Sequence, residues 1–150
     1  MKKIRKFLPP TYFIILLLLS IGLHFVFPIK KFIFPPYTYL GFVLIAFGGM
    51  INLWTDLLFK RKKTTVKPFD NPSSFITSGP FRITRNPQYL GFAAILFGVA
   101  INHGTLSTLV SPVTFVILMA LWFIPWEEKN LERVFQKEYV AYRDRVRRWL

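Results

Sequence analysis

Three apolar runs, separated by clusters of lysine and arginine, constrain this chain more than any other feature: Thr11 to Phe27, Tyr37 to Phe59 and Tyr89 to Trp126. A helix needs roughly 17–25 mostly apolar residues to cross about 30 Å of hydrocarbon, where backbone polar groups must be satisfied within the segment itself. The whole chain agrees with that solvent. Its 150 residues are 53% hydrophobic with a mean hydropathy of +0.39, more apolar matter than one soluble core of this size calls for.

The first run follows Lys2, Lys3, Arg5 and Lys6, as the apolar stretch of a signal peptide would. It is succeeded by Pro28, Ile29, Lys30 and Lys31 and by no small-residue cleavage site, so it reads as a retained transmembrane helix. The second starts after Pro35 and Pro36, residues tolerated in a first helical turn, and ends in Lys60, Arg61, Lys62 and Lys63. Asn102, His103 and Gly104 interrupt the third, which therefore reads as a helical hairpin with that triplet at its tip. Its first arm, Tyr89 to Ile101, rises only about 20 Å at 1.5 Å per residue, short of a full crossing. His103 is then a loop residue, and His24 ends the first span without a chemical task. Lys30 and Lys31 are the only positive charges in the two outer loops, which leaves the other eighteen of twenty Lys and Arg on the opposite side. By the positive-inside rule both termini are cytoplasmic and the chain is multi-pass, with four crossings.

The tail, Glu127 to Leu150, repeats Leu131, Val134, Phe135, Tyr139, Tyr142, Val146 and Trp149 at three- and four-residue steps, with charges between. That spacing predicts one amphipathic helix lying along the membrane surface. The expected fold is all-α and a single domain, residues 1–150. Residues 1–63 supply two N-terminal spans; residues 64–150 supply a polar loop, the hairpin and the tail helix.

Several kinds of chemistry are excluded or disfavoured. With no cysteine there is no disulfide, thiolate nucleophile or Cys-ligated metal. The two histidines have no carboxylate at ligand spacing, so a metal partner is not expected. A net charge of +13 suggests nucleic acid, but the charge is dispersed among membrane loops and better suits an anionic leaflet. Asn52 and Asp56, one turn apart on the second span, face either the protein interior or the headgroups.

The residues with chemical capacity flank the hairpin: Thr77 to Gly91 on one side, and Glu127, Glu128, Leu131, Phe135 and Tyr139 on the other. If the hairpin forms, its feet bring Arg85 to Tyr89 beside Glu127 and Glu128. Singly, Arg85 and Tyr89 read equally well as interfacial anchors, and the two acids as solvated charges opening a helix.

Jointly these stretches resemble the isoprenylcysteine carboxyl methyltransferase and phospholipid methyltransferase superfamily of integral membrane enzymes. Its Gly-aromatic-Arg-His-Pro-x-Tyr-x-Gly segment is matched by Gly79, Phe81, Arg85, Asn86, Pro87, Tyr89 and Gly91, and its later Glu-Glu-x-x-Leu-x-x-x-Phe-Gly-x-x-Tyr segment by Glu127, Glu128, Leu131, Phe135, Gln136 and Tyr139. The resemblance implies an S-adenosylmethionine site contacted by Ser73, Ser74, Phe75, Ile76, Phe81, Asn86, Pro87, Gln88, Tyr89 and Glu127. It gives Arg85 a place by the donor's carboxylate and Glu128 a role in orienting the tail or deprotonating an amine acceptor. The sulfonium is already an activated electrophile, so positioning and exclusion of water suffice. The implied reaction is methyl transfer to a lipophilic small molecule, lipid or prenylated acceptor at the cytoplasmic membrane face, with membrane lipid as the surroundings. Three positions depart from the pattern. Asn86 stands for the family's His, Gln136 for the tail Gly, and Phe123 for an Arg that contacts substrate in the prenylcysteine enzymes. The last departure brings a phospholipid-amine acceptor forward as an alternative. A non-enzymatic membrane scaffold or partner subunit is the rival from another class.

Overall fold

The computed structural model describes residues 8–62 and 75–150. Among these residues there are five α-helices: α1 (Pro9–Val26), α2 (Leu40–Arg61), α3 (Pro87–His103), α4 (Val110–Leu118) and α5 (Ile124–Arg143). No strand occurs among the described residues. Among the described residues, three helical spans, Pro9–Val26, Tyr37–Arg61 and Leu106–Arg143, are long and apolar enough to cross a bilayer. The protein is an integral membrane protein.

The central element is α3. It touches α1, α2 and α4 and buries Tyr89, Ala93, Leu96 and Ala100. At 17 residues it is longer than the arm expected from the sequence, about 25 Å at 1.5 Å per residue. Asn102 and His103 are therefore helical, and the turn begins at Gly104, whose φ of 69° ends the helix in the left-handed region. His103 is not a loop residue: its ring stacks on that of His24 with centroids 4.3 Å apart, joining the last turns of α3 and α1. The α1–α2 linker closes the same end, with Phe32 N donating to Gly104 O and Leu106 N to Ile29 O.

Helices α2 and α3 run antiparallel along a seam of small residues. Gly41 faces Gly98 and Gly48 faces Gly91; a Cβ at any of the four would strike the facing backbone, or the Asn102 or Asn52 side chain. Between helices in lipid, dispersion and close backbone approach replace the hydrophobic effect as the source of association, and small residues permit that approach. Asn52 Oδ1 and Asn102 Oδ1 are buried without a conventional donor and lie against Gly91 and Gly41. Glycine Cα–H groups are the weak donors available to them. The hydroxyl of Thr55, fully buried on α2, donates back to Ile51 O at 2.8 Å.

The other packing is aromatic and aliphatic. Phe13 of α1 stacks on Phe92 of α3 at 4.6 Å, and Phe92 meets Phe115 of α4 edge-on at 6.2 Å. Leu96, Phe115, Met119 and Ile124 are fully buried in the same cluster.

Between α4 and α5 the rod widens into a π turn, Met119–Phe123. Pro125 follows at once; its ring lacks an N–H and would crowd the Leu121 carbonyl in a regular α-helix, so the wide turn relieves that contact. The tail departs from the single helix expected. α5 breaks at Gln136 (φ 45°, ψ −120°) and stops at Arg143, after which residues 144–150 turn back. Its apolar face is partly covered by protein, with Tyr139 and Tyr142 buried and Val134 exposed, and Trp149 is packed on the core.

Candidate active site at the feet of the hairpin

Two local structures bring the polar residues together. Gly79–Arg82 forms a 3₁₀ turn, and Pro87 opens α3, its fixed φ suited to a first helical turn. The stretch between them, Ile83 to Asn86, is thereby pinned against the start of α5. Tyr89, on the first turn of α3, points its hydroxyl at Glu127 and donates to Oε1 at 2.6 Å. Arg85 NH1 lies 3.0 Å from Glu128 Oε1, an ion pair by distance without the alignment of a hydrogen bond. The two groups expected to meet, residues 85–89 and the acids at 127 and 128, do meet.

Glu128 is held from two sides. Arg148 Nε donates to Oε1 at 3.2 Å and NH2 to Oε2 at 2.6 Å, a fork geometry that fixes the carboxylate in orientation as well as charge. The side chains of Arg85 and Glu128 are only 11% and 13% exposed, whereas Arg148 is 41% exposed. Such pairing offsets the cost of desolvating a carboxylate. It also leaves Glu127 as the acid of the pair whose protein donor, among the described residues, is a single phenol.

The return segment at residues 146–149, absent from the sequence reading, completes the arrangement. Arg85 N donates to Arg147 O at 2.9 Å. The Arg148 carbonyl accepts from Thr84 Oγ1 at 3.1 Å and from Asn86 Nδ2 at 2.9 Å. The Tyr142 hydroxyl donates to Phe81 O at 2.6 Å. These bonds employ main-chain carbonyls, which carry no side-chain signature; the one sequence signal was Arg148 itself, counted among the polar positions of a helix that does not extend that far.

The remaining expected site residues fall as follows. Ser73 and Ser74 lie outside the described residues. The Phe75 ring stacks on Phe135 at 5.2 Å and meets Tyr139 and Tyr142 edge-on at 5.8 and 5.1 Å. Ile76 is buried. Phe81 is beside α2, edge-on to Phe59 at 5.8 Å. Pro87 is buried at the helix start, and the Asn86 amide is engaged by the return segment. Gln88 reaches α2, where Nε2 donates to Asp56 Oδ1 at 3.4 Å; Asp56 thus ties α2 to the site. Phe123 is buried against Tyr12 of α1, ring centroids 5.4 Å apart.

An acidic half, Glu127 with Tyr89, therefore adjoins a cationic half, Arg85 with Arg148, beside an aromatic cluster. No group of three or more metal-ligating side chains occurs among the described residues.

Comparison with known proteins gives this arrangement a lineage. The chain is 29% identical over 114 residues to the probable protein-S-isoprenylcysteine O-methyltransferases of Oryza sativa subsp. indica and subsp. japonica, covering 73% of this chain and 58% of each relative. It is 32% identical over 111 residues to protein-S-isoprenylcysteine O-methyltransferase B of Arabidopsis thaliana, covering 71% of this chain and 55% of that protein. The chain thus matches little more than half the length of these relatives. No solved structure matches it significantly. The phospholipid methyltransferase family model matches residues 37–138, from the start of α2 through most of α5, and the chain belongs to the phospholipid methyltransferase family.

Proposed function

We propose that this protein transfers a methyl group from S-adenosylmethionine to a lipophilic acceptor at the cytoplasmic face of the membrane, in the manner of an isoprenylcysteine carboxyl methyltransferase. The observation that carries the reading is the juxtaposition of Tyr89–Glu127 with Arg85–Glu128 at the feet of the hairpin. The donor set suits the methyl donor, a zwitterionic amino acid joined to an adenosine. Glu127 would hold the ammonium, Arg85 the carboxylate, and the Phe75 cluster offers faces for the adenine. When bound, S-adenosylmethionine supplies the electrophilic methyl. The chain supplies orientation, a desolvated setting and opposite charges at two fixed points. Glu128, held by two arginines, orients the tail. The basic residues on the site side support a topology with both termini cytoplasmic, since Lys60 and Arg61 end α2 and Lys62 caps it.

One feature favours a second acceptor class. At the position where the resembled prenylcysteine enzymes carry a substrate-contacting arginine, Phe123 is buried against Tyr12, which favours an acceptor without a carboxylate, such as a phospholipid amine. Calorimetric titration of the detergent-solubilised protein with S-adenosylhomocysteine tests the donor site: binding lost in Glu127→Ala is expected, and absence of binding to the unaltered protein would refute the enzyme reading in favour of a membrane scaffold. Mass spectrometry of lipids from cells with and without the gene separates the acceptors.

A further inference from the structure

Three buried hydrogen-bond donors near Glu128 have no acceptor in bonding geometry among the described residues: the Tyr139 hydroxyl, on a residue 1% exposed, and Arg85 Nε and NH1. They belong to one cluster: the Arg85 guanidinium lies within hydrogen-bonding reach of the Tyr139 hydroxyl, beside Glu128, and an N–H turned toward the phenol oxygen still leaves the phenol proton without an acceptor. Leaving a buried donor unpaired is costly, so the phenol proton and the remaining Arg85 N–H indicate a ligand atom that accepts from both.

The charge identifies that atom's class. Arg85 and Arg148 bring two positive charges to the single negative charge of Glu128, and the cluster is left with one in excess. Its complement is a monoanion with oxygen acceptors. Glu127, the adjoining acid, is the natural partner for a cation. Acid and cation side by side fit the two ends of an α-amino acid.

Resting on the donor-binding reading above, we infer that Tyr139 binds the amino-acid carboxylate of the methyl donor together with Arg85, and that Arg148 is the positioning residue that keeps this seat open by occupying Glu128. In the absence of Arg148 the Glu128 carboxylate would close on Arg85 alone in a bidentate pair and neutralise it. With Arg148 forked onto Glu128, Arg85 gives that carboxylate one nitrogen, NH1, and retains Nε for the ligand. The Arg148 main chain, accepting from Thr84 and Asn86, holds the loop carrying Arg85 at the required distance.

The test compares two ligands on the same folded protein: S-adenosylhomocysteine and its decarboxylated analogue, titrated calorimetrically into the full chain in detergent. Tyr139→Phe and Arg148→Gln should each weaken S-adenosylhomocysteine about tenfold while leaving the analogue within about twofold of the unaltered protein, with Arg148→Lys intermediate. Because the readout is a ratio of affinities, a general loss of stability cancels. Equal weakening of both ligands, or no weakening of either, overturns the inference while leaving donor binding intact. Failure of the unaltered protein to bind S-adenosylhomocysteine would instead overturn the donor reading on which it rests.

Discussion

The α2–α3 seam and the site at the feet of the hairpin solve the same problem, holding α3 in place within an apolar solvent, by opposite means. The seam removes side chains: glycines at 41, 48, 91 and 98 let backbones touch, and two buried asparagine carbonyls rest on glycine Cα–H groups. The site adds long side chains and ties them by ion pairs and a phenol–carboxylate bond. The seam is intolerant of added volume, whereas the site tolerates atoms but not the loss of a charge. The two are joined through α3, which carries Tyr89 at its start and the glycine seam along its length.

The contrast predicts a graded series of effects. Gly91→Val places branched carbons against Asn52 and the Gly48 carbonyl and should destabilise the bundle by about 3 kcal/mol, seen as loss of cooperative thermal unfolding in detergent; an unchanged melt would show that the seam is looser than described. Tyr89→Phe preserves the packing but removes the donor to Glu127, and should raise the Kd for S-adenosylhomocysteine about tenfold while the melting temperature moves by only a few degrees. Gln136→Gly acts in the other direction. Its left-handed backbone, φ 45° and ψ −120°, strains any side-chain-bearing residue by about 1–3 kcal/mol, against about 1 kcal/mol of added chain entropy. A rise of about 2–4 °C in Tm is expected. Smallest is Gly49→Ala: next to Gly48 in sequence, it has open space where a Cβ would go. It should be neutral or stabilise by up to about 1 kcal/mol; a large loss there would erase the distinction between the two faces of α2.

Much of this was legible beforehand for a physical reason. Apolar runs bounded by cations specify helices and their ends through solvation alone, and a hairpin necessarily sets its two feet side by side, so Arg85 and Tyr89 could be placed near Glu127 and Glu128 from the sequence. What escaped depends on backbone geometry that side chains do not advertise. Gln136 is a good helix former at a point where the chain needs a left-handed residue, and the resembled motif has glycine there. The amphipathic spacing through Tyr142, Val146 and Trp149 suits either a continued helix or a return over the core, and only the packing of Trp149 distinguishes them. The seven-residue spacing of the glycines in both segments was present in the sequence, but its meaning needed the antiparallel register.

The π turn at Met119–Phe123 has a consequence for heredity as well as for shape. It lies just upstream of the two acids and holds one residue more than a regular helical turn. Losing a single amino acid from this stretch would close the wide turn and set the Pro125 ring against the carbonyl one turn before it, bending the segment that carries both carboxylates while leaving every candidate site residue present in the gene. Substitutions at its exposed positions, Leu121 and Trp122, are cheap and deletions ruinous, so the spacer between Leu118 and Glu127 is expected to keep its length across descendants even as those two letters drift.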